Sequence, residues 1–124
     1  MRKIEFRGKR CSNLITNGTA WVYGSYLKKY QEAVIQKDDQ IGEYVIPETV
    51  GQYTGLKDKN GVKIFEGDII KYSSVLRVIE WNDKQAEYEQ VGNGGRMKLD
   101  FDEAALSEVI GNKFDNPELI EEAE

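Results

Sequence analysis

Glu66 and Asp68 stand two residues apart around Gly67, and on a strand that spacing points both carboxylates the same way, as proton transfer or a magnesium ion requires. The stronger reading is structural. An Asp that follows Gly at the entry to a strand bonds neighbouring backbone N–H groups, and no second acidic pair is fixed nearby, so no metal ligands and no catalytic residues are assigned. The segment QYTGLKDKNG, Gln52 to Gly61, brings glycines and lysines together as phosphate cradles do. It lacks the P-loop order, in which two glycines, Lys and Ser or Thr precede a helix. Its functional reading is a recognition edge of Tyr53, Thr54, Lys57, Asp58 and Asn60, joined by Arg96. Its structural reading is a plain hairpin in which Asn60-Gly61 supplies positive φ. Seven Tyr and two Trp interleave with Lys28, Lys29, Lys71, Arg77 and Arg96. Such a set could stack nucleic-acid bases, but Tyr and Trp also fill cores and subunit interfaces, which suits an acidic chain better.

The residue types that are missing remove whole classes of chemistry. There is no histidine, and Cys11 is the only cysteine. Zinc sites of the Cys and His kind need several such ligands, and Ser/His/Asp or Cys/His nucleophilic sets need an imidazole. Cys11 follows Lys9 and Arg10, which favour a thiolate, but with no resolving cysteine it reads as an incidental turn residue. A lone cysteine and a start without an apolar stretch fit a reducing cytoplasm, and no run approaches the roughly 20 apolar residues of a membrane span. The charge is uneven: +6 over residues 1 to 37, −6 over 38 to 114 and −5 over the last ten. The plain reading is basic strands facing acidic ones, with a solvated tail.

Short strands must position these residues. In 124 residues one compact domain is expected, or two small modules. Ile4 and Phe6 alternate with charged neighbours, the period of a half-buried strand, and Trp21 to Leu27 is an aromatic-rich partner beyond the turn signal Asn17-Gly18. Strands at Ala33 to Gln36 and Tyr44 to Ile46 follow. Lys57 to Gly61 is a turn, Ile69 to Tyr72 a strand, and Val75 to Trp81 and Ala86 to Val91 continue a meander. Met97 to Phe101 is expected as a further strand, Asp102 to Leu106 as a helical turn and Val109 to Phe114 as a closing strand. Asn116-Pro117 starts a short terminal helix that Leu119 and Ile120 can dock. The expected fold is mainly β: N-terminal strands in a hairpin over 1–48, an SH3-like small barrel over 49–114, and an acidic tail over 115–124 with a short C-terminal helix.

Three stretches carry a resemblance. VIPETVGQYTGLKDKNGVKIFEGDIIKY (Val45 to Tyr72), the opening IEFRGKR with WVYGSY, and EVIGNKFDNPEL (Glu108 to Leu119) resemble the YopX family of phage and prophage proteins. The resemblance runs in matching order over nearly the whole chain, and Gly92 to Phe101 matches no pattern. It implies a small β protein with a C-terminal SH3-like barrel, homo-oligomeric and encoded by a phage or prophage. It supplies no catalytic residues and no cofactor. The functional expectation is a non-enzymatic accessory protein that binds a macromolecular partner, such as a host or phage protein, in the bacterial cytoplasm. Two alternatives stand beside it. One is nucleic-acid binding in phage replication or transcription control, and the other is capture of a small anionic nucleotide by a phage counter-defence protein.

Overall fold

The computed structural model describes residues 3–11, 21–38, 40–92 and 94–121. It is mainly β, and its strands pair in antiparallel fashion. The chain divides into two compact units between Tyr53 and Thr54.

The first unit holds β1 (Phe6–Lys9), β2 (Trp21–Lys29), β3 (Glu32–Gln36), β4 (Glu43–Val45), a 3-10 turn at Pro47–Thr49, and the start of β5 (Gly51–Lys57). Its strands lie in the order β4-β3-β2-β1-β5. The hairpin expected of the first two strands is present, with Arg7 opposite Tyr23, while its turn signal Asn17-Gly18 lies outside the described residues. Ile4 is exposed and the first strand begins only at Phe6. Side chains alternate between faces, so the even positions Val22 and Tyr26 pack with Ala33, Ile35, Val45, Phe6 and Val50 into one core. The sheet curls tightly. A Cβ on Gly24 would sit 2.2 Å from the Gln36 carbonyl oxygen, so glycine alone admits that approach. A single bridge, Arg10 to Val45, joins β4 to the end of β1, short of a continuous ladder.

The second unit continues with β6 (Lys63–Phe65), β7 (Asp68–Tyr72), β8 (Val75–Asn82), β9 (Glu87–Gly92), β10 (Gly95–Lys98), α1 (Phe101–Leu106), β11 (Glu108–Asn112) and α2 (Pro117–Glu121). The latter half of β5 runs beside β6, and the main sheet has the order β10-β9-β8-β7-β11. Ile64, Ile70, Ile79, Leu99 and Ala104 form its core, with Leu56, Tyr88 and Val109 packed against them. Burying an isoleucine side chain fully contributes about 1.5–3 kcal/mol, so this cluster dominates the unit's stability. Leu119 and Ile120 are half-buried and α2 lies against β8, so the terminal helix docks as its apolar pair predicts.

Two details depart from the pattern read in the sequence. The expected barrel is not closed: β10 and β11 are separate edges of an open sheet. The outer side of β11 is satisfied by side chains instead of by another strand. Its Val109 N–H donates to Asp58 Oδ2 at 2.9 Å and its Asn112 N–H to Asn116 Oδ1 at 3.2 Å. The strand expected to reach Phe101 stops at Lys98, because Asp100 caps a helix by accepting from the Glu103 N–H at 2.8 Å.

Candidate functional site

The turn after β5 is organised by one buried carboxylate. Asp58 Oδ1 accepts from the Asn60 N–H at 2.8 Å and the Val62 N–H at 2.9 Å, while Oδ2 takes Val109 from β11. Burial alone would raise the Asp58 pKa. The backbone donors of Val109, Val62 and Asn60, helped by the charge on Lys59, outweigh that and hold the carboxyl below its ordinary value. Gly61 has φ of 79°, the positive value that the Asn-Gly turn needs. Thr54 Oγ1 donates to the Ile64 carbonyl at 2.8 Å and accepts from the Leu56 N–H at 3.1 Å. Lys57 is exposed, and exposed Asn60 reaches Glu108 at 3.5 Å. Tyr53, only 6% exposed, belongs to the first unit, whereas Thr54, Lys57, Asp58, Asn60 and Arg96 belong to the second. Of this proposed edge, Lys57, Asn60 and Arg96 present exposed side chains, whereas Asp58 and Tyr53 are buried.

Arg96, on β10, bonds Glu89 Oε1 at 2.7 Å through Nε and Glu80 Oε1 at 2.9 Å through Nη2. Asn82 adds an N–H to the same Glu89 at 2.9 Å. The bond from Arg96, then that from Asn82, holds the Glu89 carboxyl below its ordinary pKa against the opposing effect of burial. The guanidinium is thereby committed to two neighbouring strands. Asp68 is 2% exposed and accepts from the Phe65 N–H at 2.7 Å, the corner role read for an Asp after Gly.

The aromatic surplus is divided between faces. Residues opposite each other on paired strands share a face, and Leu27 lies opposite Val34, which lies opposite Tyr44. Tyr23 joins them by alternation along β2. Tyr23, Leu27 and Tyr44 are 41%, 53% and 55% exposed, so the outer face of β2, β3 and β4 carries an apolar row three strands wide. Val22, Tyr26 and Ile35 point the other way, into the core. Sequence alternation does not separate the two faces here, because both carry apolar residues. At one end of the same unit, Arg10, Trp21, Tyr23, Lys37, Ile41 and Glu43 help to line a cleft of about 320 Å³. Arg10 Nε is bonded to Glu43 at 2.5 Å there, and the Arg7 guanidinium stacks on Trp21 at 4.7 Å from the ring centroid.

No helix among the described residues is long and apolar enough to cross a membrane, and no cluster of His, Cys, Asp and Glu among them could hold a metal ion. A comparison with curated proteins finds no match. A family model described as YopX protein matches residues 3–121, from before β1 to the end of α2. The mainly β chain, with the motifs that carried the resemblance, belongs to the YopX family.

Proposed function

We propose that this chain is a non-enzymatic accessory protein of phage or prophage type, homo-oligomeric, that works by binding another protein. The observation that carries the reading is the row Tyr23, Leu27, Val34 and Tyr44 on the outer face of the first unit. Large apolar side chains in adjacent pairing positions lose little entropy on contact and mark protein-binding surfaces when they stand together in water. Family membership supports the phage-type setting.

Sedimentation velocity of the purified chain tests the assembly. The wild type should sediment as a defined oligomer, and Tyr23→Ser/Leu27→Ser/Tyr44→Ser as a smaller species with unchanged secondary structure. Equal sedimentation of the two at every concentration overturns the row's part in self-assembly.

A second reading is favoured by the cleft. Its rings at Trp21 and Tyr23 beside the Lys37 ammonium suit a small planar anion of the nucleotide kind, and its volume lies within the range of small-molecule sites. Thermal-shift measurements with nucleoside mono- and diphosphates test it, because a ligand that binds the folded chain raises the melting temperature by mass action. No shift in the wild type, or the same shift in Trp21→Ala, excludes that reading.

A further inference from the structure

We propose that Asn60-Gly61 is a self-modifying site that the Asp58 turn holds shut: opening of the turn lets Asn60 convert to aspartate or isoaspartate, and the new carboxylate then weakens the junction with β11. The pair carries the chemistry in its own atoms. The Gly61 backbone nitrogen attacks the Asn60 side-chain carbonyl carbon, its proton leaves with the amide nitrogen as ammonia, and a five-membered imide forms. Water opens the imide at either carbonyl, which restores one peptide bond and leaves one carboxylic acid. No oxidant, metal or second protein enters the balance. Glycine favours the attack because no Cβ crowds its nitrogen. Asn60 and Gly61 are both exposed, and a Cβ at Gly61 would meet nothing within 4 Å, so water reaches the site.

The folded turn opposes each requirement of the reaction. The attacking nitrogen must lose its proton, but the Gly61 N–H donates to the Asp58 carbonyl at 3.0 Å. The backbone on both sides of Gly61 is pinned as well, because the Asn60 and Val62 N–H groups donate to Asp58 Oδ1 at 2.8 Å and 2.9 Å. Rotation that brings the nitrogen onto Asn60 Cγ has to break those bonds. The Asn60 amide nitrogen is itself drawn toward β11, where it stands 3.5 Å from Glu108 Oε2. Asp58 Oδ2 ties the same turn to the Val109 N–H, so the lock spans two elements.

Modification changes what the turn meets when it closes. A carboxylate at position 60 replaces the amide that faces Glu108, with the Asp58 carboxylate on its other side. Like charges at that separation repel. Lys59 counters Asp58 and Lys71 lies opposite Glu108, so the cations placed beside the cluster among the described residues are two for three carboxylates. Isoaspartate adds a carbon to the main chain and displaces the N–H groups that Asp58 holds. The site is independent of the first unit's outer row.

The test ages the full chain in mildly alkaline buffer and follows Asn60 by peptide mass spectrometry. Cleavage after Glu48 and Glu66 releases residues 49–66, in which Asn60 is the only asparagine. Folded wild type should modify Asn60 at least about tenfold more slowly than the chain in urea, since the rate follows the open fraction of the turn. Asp58→Ala should accelerate the reaction more than Ile79→Ala, a core variant that loosens the unit without touching the turn. Equal rates in the folded and urea-unfolded chain, or equal acceleration by the two variants, overturn the gate. The second arm needs no Asp58 variant. Asn60→Asp should melt below the wild type, and the difference should shrink in a Glu108→Gln background. An Asn60→Asp chain that melts with the wild type overturns the proposed effect on the junction.

Discussion

At the scale of the residue, Asp58 ties two elements together, because one carboxylate satisfies N–H groups from its own turn and from β11 fifty-one residues away. A hydrogen bond to a charged group contributes about 1.5–3 kcal/mol, and a buried donor left without one loses a similar amount. Asp58→Ala should therefore destabilise the chain by about 3 kcal/mol, read from urea midpoints. Asp58→Asn should fall between, since its amide nitrogen cannot accept. The pH dependence follows from the depressed pKa. The carboxylate's contribution is full above the unfolded value near 4 and is lost as pH falls through the lower folded value, so the wild type should lose its advantage over Asp58→Asn below about pH 4. An unchanged difference between pH 7 and pH 3 contradicts this assignment. The role was half legible. Asp two residues before Asn in a Lys-Asp-Lys-Asn-Gly turn is an Asx-turn signal, but nothing in the sequence announces that its second oxygen reaches Val109.

Among the elements, hairpin turns and helix caps set the register. Ser73 and Ser74 both hold positive φ, 48° and 67°, at the two central positions between β7 and β8, where the tight turn prefers Asn-Gly. Ser73→Asn/Ser74→Gly should raise stability by about 0.5–1 kcal/mol, and a lower urea midpoint would show that the Ser74 Oγ bond to the Ser73 carbonyl outweighs the backbone preference. Asp100→Ala should cost about 1 kcal/mol through loss of the α1 cap. Strand existence was largely legible, since alternation and turn residues place β2, β3, β7, β8 and β9 within a few residues of their observed bounds. The stop at Lys98 was not. Leu99 continues the apolar pattern of β10, and the boundary depends on which backbone N–H the Asp100 carboxylate accepts. Barrel closure was equally out of reach, because an edge capped by Asp58 and Asn116 has the same local sequence pattern as an edge paired with a strand.

For the whole molecule, the two units divide the surface chemistry between them. The first presents an apolar and aromatic row, and the second presents Tyr72 and Val75 at the hairpin end of β7 and β8. The rows of residues were legible only as composition: surplus Tyr and Trp indicated interfaces, but which of them face water depends on strand register, which period-2 patterning leaves open when both faces are apolar. The central claim is that the chain works by protein contact through Tyr23, Leu27, Val34 and Tyr44. A photo-crosslinking amino acid placed at Leu27 in the full chain, expressed in the bacterial host with the phage or prophage present, tests it most directly, with the exposed turn residue Lys84 as the control position. The account predicts a discrete crosslinked protein band at Leu27, absent at Lys84 and abolished by Tyr23→Ser/Tyr44→Ser in a chain that still folds. Identical crosslinking patterns at the two positions, or a Leu27 band that survives the double substitution, would contradict it.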